Sequence, residues 1–310
     1  MTLIQKDQFI ESLKHANYWI IIPVVIVSLL SHISRAIRWK ILMEPMGYNP
    51  STATAFYCVM TGYFVNTFLP RAGEVVKCSL LGRYEKIPTN KLIGTILVER
   101  TFDLLCYVIL IIFTILIQID FVTSFVKEKL LAINGNGALI KVALVAGVIL
   151  IVIVLIRWLI KKYSHHHYVH KAKGFSTGLM EGFRSIKYLK RKGAFIGHTF
   201  FIWFMYLLQI YMGFFALSAT NGLNLVNACS VLSLATLAMI VSPGGIGAFP
   251  VAVQEVLLLY HIDNVSFGWL MWGVSTSIVI VGGIVSFLLL LNKNKKDYET
   301  GTTSAEQGIH

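Results

Sequence analysis

The chain has 310 residues, of which 56% are hydrophobic and only 14% charged, with a formal net charge of +12 and a mean hydropathy of +0.70. Soluble domains carry about a quarter charged residues, so the composition excludes a globular catalytic domain and points to an all-α protein that crosses a membrane several times. The longest polar stretch, 161–192, is too short to build a core of its own.

A spanning helix needs about 20 mainly apolar residues. The first run that qualifies is 18–39, closed by Arg35, Arg38 and Lys40. The residues before it lack the basic, apolar, small-residue order of a cleaved signal peptide, so this run reads as a retained helix. Next, "ATAFYCVMTGYFV" (53–65) leads directly into "NTFLPRAGEVVK" (66–77). Here Pro70 removes a backbone donor and Gly73 loosens the chain, while Arg71, Glu74 and Lys77 bring charge that is costly in hydrocarbon.

Further spans follow at 93–117, 138–160, 195–218, 224–241 and 266–291. The basic segment 157–192 holds ten Lys and Arg against one acid, Glu181, whereas 118–137 holds Lys127 and Lys129 balanced by Asp120 and Glu128. This asymmetry places 35–50, 71–91, 157–192 and the C-terminus in the cytoplasm and the N-terminus outside. Two segments then break the alternation of sides. Residues 53–84 must enter and leave on one face, turning at 70–73, and 224–260 must do the same on the other, turning at "SPGGIGAFP" (242–250) with Pro243, Gly244, Gly245 and Gly247. Each reads as a re-entrant broken-helix hairpin. Opposed hairpins in corresponding halves, about 18–117 and 138–291, suggest an inverted repeat with a site at mid-depth. The expected organisation is one integral-membrane domain over 1–292, a basic amphipathic segment over 161–192 lying on the inner leaflet, and a polar tail over 293–310.

Within "GTILVERTFDLL" (94–105), Glu99, Arg100 and Asp103 interrupt an apolar helix. Each uncompensated charge at the bilayer centre costs about 2.5–3.5 kcal/mol on insertion scales. Glu99 and Asp103 share a helix face, and Arg100 is spaced to pair with Asp103. Arg71, Glu74 and Lys77 on the first hairpin are the expected partners of this group. Glu255, on the far side of the second break, is a further candidate carboxylate, and Asn66 suits the cap of the first turn.

Other features carry less chemistry. Cys58, Cys78, Cys106 and Cys229 lie in or beside apolar segments without metal spacing and read as small core residues. "HHHYVH" (165–170) lies among lysines with no acidic or cysteine partner, so a solvated role is expected and no metal. There is no phosphate-binding G-x-x-x-x-G-K-[ST] loop and no G-x-S-x-G elbow. His198 is the one candidate base near the membrane and has no evident nucleophile. The expectation is a protein that is not an enzyme, uses no cofactor and binds no nucleic acid.

"NTFLPRAGEVVKCSLL", then "ILVERTFDLL", then "SPGGIGAFPVAVQE" resemble the lysylphosphatidylglycerol synthase transmembrane-region family, also called flippase-like, over about Arg35 to Leu291. The resemblance implies movement of a charged phospholipid or lipid-linked headgroup between leaflets of the cell (inner) membrane. It carries over to Asn66, Pro70, Arg71, Gly73 and Glu74; to Glu99, Arg100 and Asp103; and to Pro243, Gly244, Gly245 and Gly247. The aminoacyl-transferase domain of the full synthases is absent from this sequence, so lysyl transfer is not implied. On this reading Arg71 and Lys77 bind the headgroup phosphate, Glu74, Glu99 and Asp103 balance charge or bind an amine, and Arg100 ties helices together. The expected partner is an anionic or aminoacylated phospholipid. The alternative is a non-transporting scaffold for an envelope enzyme, with a partner protein or a second copy bound.

Overall fold

The computed structural model describes residues 3–69, 71–118 and 189–306. The predicted span 138–160, residues 161–188 of the basic segment and Pro70 lie outside the described residues. Every regular element among the described residues is helical: α1 (Leu3–Lys14), α2 (Ile21–Met43), α3 (Thr52–Phe68), α4 (Ala72–Glu85), α5 (Thr89–Ile117), α6 (Lys192–Phe214), α7 (Leu225–Val241), α8 (Ala248–Leu259) and α9 (Val265–Glu306). The last runs straight through position 293, so the polar tail expected there begins as a continuation of the helix.

Among the described residues, four stretches are long and apolar enough to cross a membrane: Tyr18–Met46, Thr89–Ile117, Lys192–Phe214 and Val265–Lys293. They coincide with four of the predicted spans. The arms of the two predicted hairpins are shorter. At 1.5 Å per residue the longest, α3 and α7, reach roughly 26 Å and α8 roughly 18 Å, short of a hydrocarbon core about 30 Å thick.

Both hairpins fold back on themselves. In the first, α3 ends at Leu69, and Arg71 takes a left-handed φ of 66° before α4 begins. Gly73, expected to loosen this turn, is instead already helical. Its role is close approach: a Cβ there would stand 1.8 Å from the Gly62 carbonyl oxygen. Asn66 fastens the corner by accepting the Gly73 backbone N–H through Oδ1 at 2.8 Å. In the second hairpin the break is made by Gly244, Gly245 and Gly247, with φ of 60°, 69° and 73°, a region glycine enters at little cost. Trp272 on α9 donates its indole N–H to the Gly244 carbonyl at 2.9 Å and holds that tip in place.

Two apolar cores lie at successive levels along the long helices. One gathers Trp39 and Met43 of α2, Ala55, Cys58 and Val59 of α3, Cys78 and Leu81 of α4, and Leu92 and Ile96 of α5. The other gathers Val24 of α2, Phe214 of α6, Ala228 and Val231 of α7, Val253 and Leu257 of α8, and Phe267 of α9. Each hairpin is thus packed into one core, toward opposite ends of α2. Their tips meet between the cores, where a Cβ on Gly244 would stand 3.4 Å from the Thr67 carbonyl oxygen. On α9, Gly283 makes room for this level: a Cβ there would meet the Phe64 Cβ at 2.3 Å. All four cysteines are buried and unbridged.

The glycine contacts give opposite signs at two positions. Gly73→Ala overpacks a site with no slack and is expected to destabilise by about 1–3 kcal/mol. Gly94→Ala, in α5 with nothing within 4 Å of its added methyl, is expected to stabilise by about 0.5–1 kcal/mol. Thermal unfolding of the detergent-solubilised protein should move down for the first and up for the second.

Candidate functional site

The charged residues of α5 sit at the level between the two cores. Glu99 is 3% exposed, and Lys77 of α4 donates to its Oε2 at 2.7 Å. Lys77 is itself buried, with its ammonium 4.6 Å from the centre of the Trp39 ring, a cation–π contact that offsets part of its lost hydration. Trp39 is oriented in turn by donating to Thr95 Oγ1 at 2.7 Å.

One turn further along α5, Asp103 is clamped by two arginines of α2. Arg35 Nη1 donates to Oδ2 at 2.8 Å and Arg38 Nη1 to Oδ1 at 2.7 Å. The second Arg35 nitrogen donates to the Tyr206 hydroxyl of α6 at 2.9 Å. Arg38 is completely buried, and its Nη2 lies 3.7 Å from Glu99 Oε1. One helix therefore presents two carboxylates and two flanking elements supply three cations. Removing one partner from such a buried pair typically costs 3–5 kcal/mol.

Arg100 does not pair with Asp103. It reaches outward to Glu74 in the first turn of α4, and the helix geometry explains this: Asp103 points inward with Glu99, while Arg100 continues the exposed stripe Ile93, Leu97, Leu104, Val108. Arg35 and Arg38 correct the sequence reading in a second way. They were counted as cytoplasmic charges closing the first span, yet both are neutralised inside the bundle. Only Lys40 of that trio has no acidic partner among the described residues, so the charge bias rests on Lys40, Arg83, Lys86, Lys91, the basic segment 157–192 and the lysines after 292.

Arg35, Gly62, Tyr63, Asn66, Gly73, Glu74, Lys77, Glu99, Arg100 and Asp103 line a single small pocket. The free space between them is about 10 Å³, room for one water. Asn66, Glu74, Lys77, Glu99, Arg100 and Asp103, picked out in the sequence, are thus brought together. Arg71 and Glu255 are not. Arg71 stands exposed at the hairpin tip and Glu255 is exposed on α8, neither with a hydrogen bond or ion pair among the described residues. Pro243, Gly244, Gly245 and Gly247 shape the opposing tip and line none of it.

The residues that sequence reasoning missed are Arg35, Arg38, Tyr63 and Tyr206. A signal was present: Arg35 and Arg38 are three apart near the end of an apolar helix, one helical face at the depth where α5 carries its carboxylates. Several buried polar atoms around the cluster have no hydrogen-bond partner among the described residues, namely Arg35 Nε, Arg38 Nε, Arg38 Nη2, Glu99 Oε1 and His32 Nδ1. Buried polar groups are ordinarily paired, so each of these atoms calls for a partner from solvent or a ligand. His198, the candidate base, meets a hydroxyl after all: Ser34 Oγ lies 2.8 Å from its Nδ1. No carboxylate orients this pair among the described residues, and it ties α6 to α2.

Glu99→Gln leaves Lys77 buried without its counter-charge and is expected to destabilise by about 3–5 kcal/mol. Adding Lys77→Met should restore most of that loss, because both charges are then gone. Unfolding midpoints of the two single variants and the double variant in detergent measure the coupling.

Residues 1–285 match the family described as the lysylphosphatidylglycerol synthase TM region. The chain is 22% identical over 301 residues to a UPF0104 membrane protein of Methanocaldococcus jannaschii, an alignment covering 93% of this chain and 87% of the relative. It is 21% identical over 308 residues to a UPF0104 membrane protein of Methanothermobacter thermautotrophicus, covering 90% and 85%. No solved structure matches the chain. A match over nearly the whole length, together with the charged hairpin and the α5 motif at its centre, makes this chain a member of the lysylphosphatidylglycerol synthase transmembrane-region family.

Proposed function

We propose that this multi-pass membrane protein is a lipid translocase that passes the charged headgroup of a phospholipid across the bilayer through the ionic pocket. The observation that carries this reading is where the pocket opens. Its innermost members are buried and paired, but its outermost pair, Arg100 with Glu74, lies on a stripe of α5 that is otherwise apolar and exposed. Val75 of α4 and Phe68 and Leu69 at the hairpin tip extend that apolar rim. A headgroup enters from the side while its acyl chains remain against the rim, which a substrate from bulk water has no need of.

The first hairpin supplies the moving part and the second its support. The first is held to α5 by Lys77–Glu99 and Glu74–Arg100, interactions in which a phosphate can take the place of the carboxylate. The second is held to α5 by neutral hydrogen bonds, with Tyr260 donating to Gln118 Oε1 at 2.7 Å and Gln118 to Ser230 Oγ at 2.6 Å. Charge exchange therefore loosens one hairpin and leaves the other fixed. Arg71, in a left-handed conformation that costs a non-glycine residue about 1–2 kcal/mol, stands at the moving tip where a headgroup is met first. On this reading the protein sits in the cell membrane with its basic helix ends in the cytoplasm, where they face anionic headgroups.

The Lys77→Met/Glu99→Gln protein, stable by the argument above, separates transport from packing. In proteoliposomes with a fluorescent phospholipid and a membrane-impermeant quencher, it should lose the protein-dependent lipid exchange by about tenfold or more, since charged hydrogen bonds of roughly 1.5–3 kcal/mol are gone. An unchanged exchange rate in the folded double variant would contradict translocation through this pocket and favour a scaffold.

A further inference from the structure

We infer that the pocket is built for a headgroup carrying a single net negative charge, a phosphodiester, and rejects zwitterionic and cationic headgroups. This rests on the translocase reading and specifies its substrate class. Charge must balance at this depth. The connected cluster contains four cations, Arg35, Arg38, Lys77 and Arg100, against three carboxylates, Glu74, Glu99 and Asp103. Among the described residues the surplus is one positive charge. Long-range compensation from water is weak at this level, so the missing anion belongs to the occupant.

The pattern of hydrogen bonds agrees with the count. The buried groups left over include three guanidinium nitrogens, Arg35 Nε, Arg38 Nε and Arg38 Nη2, so donors outnumber acceptors. Among the buried carboxylate oxygens of the cluster, Glu99 Oε1 alone has no hydrogen bond, and it already lies 3.7 Å from Arg38 Nη2. An added phosphate therefore finds more open donors than an added amine finds buried acceptors.

With room for only about one water in the pocket, entry proceeds by exchange at the mouth. The Arg100 side chain is 57% exposed and Glu74 24%, against 0–14% for the other paired side chains of the cluster, so this is the pair that opens. The two non-bridging oxygens of a phosphodiester replace the Glu74 carboxylate in the fork of Arg100, the geometry guanidinium groups prefer. Glu74 stays beside the mouth and repels a second negative charge. A dianionic phosphomonoester is thereby disfavoured, and a cationic headgroup meets a cluster that is already positive.

The test uses the full chain in proteoliposomes with acyl-labelled lipids that differ only in headgroup. Phosphatidylglycerol should exchange about tenfold or more faster than phosphatidylethanolamine, lysylphosphatidylglycerol or phosphatidic acid. Glu74→Gln, which raises the surplus by one, should shift the preference toward phosphatidic acid. Soluble glycerophosphoglycerol should not compete; competition would show that the site fills from water and overturn the lipid source. Equal exchange of all headgroups, or an unshifted order in a folded Glu74→Gln protein, would overturn the charge rule while leaving translocation intact. If no lipid exchanges, translocation fails, and mass spectrometry of lipids retained by the purified protein from an equal mixture decides the charge rule. Enrichment of phosphatidylglycerol supports it, and retention in proportion to supply overturns it.

Discussion

The constraint on which the structure depends is that α5 carries two carboxylates into the middle of a bundle with almost no water. Glu99 and Asp103 lie one turn apart and both face inward, so they demand cations from whatever packs against that face. Lys77 meets one and Arg35 with Arg38 the other, at 2.7–2.8 Å. These contacts fix the register of α2, α4 and α5 more narrowly than apolar packing alone, because a slip of one residue would strand several buried charges. Hydrophobic replacement of such a network often leaves stability unchanged or improves it. Its presence here therefore calls for a reason beyond stability, and the nitrogens of Arg35 and Arg38 without a partner among the described residues agree with a ligand-binding one.

The backbone around the ionic level is arranged to let side chains reach it. Gly62 and Gly73 bring α3 and α4 into backbone contact, which lays Lys77 across Gly62 toward Glu99. On the opposite side, Gly283 of α9 admits Phe64. The two hairpin tips touch at Thr67 and Gly244 but differ in chemistry. The first tip is flanked by Arg71 and Glu74, the second is uncharged and pinned by Trp272. A shared outline thus serves one ionic hairpin and one neutral support.

Much of this was legible in the sequence because membranes make charge and backbone breaks costly. The break after Leu69 and the glycine break at 244–247 were readable as hairpins, and Glu74, Lys77, Glu99, Arg100 and Asp103 as one cluster. The pairing within the cluster was not. Spacing along α5 allows Arg100 to meet Asp103, but only the packing of α2 reveals that Arg35 and Arg38 occupy that role first. Those arginines were misplaced because a basic residue near the end of an apolar run has the same signature whether it reaches headgroups or turns inward. Gly73 was read as a loosened turn because a sequence shows glycine's freedom but not the approach of Gly62. Glu255 follows its break as Glu74 follows the first, yet its side chain lies on the exposed face of α8.

The central claim is that a phospholipid headgroup occupies the space bounded by Arg100, Glu74 and Lys77. Its most direct measurement is an electron cryo-microscopy map of the protein in a phospholipid nanodisc. The account predicts headgroup density with its phosphate in hydrogen-bond reach of Arg100 and its acyl chains along Leu97, Leu104 and Val75. A map in which Arg100 and Glu74 stay paired and all lipid phosphates lie at the two bilayer surfaces would contradict it.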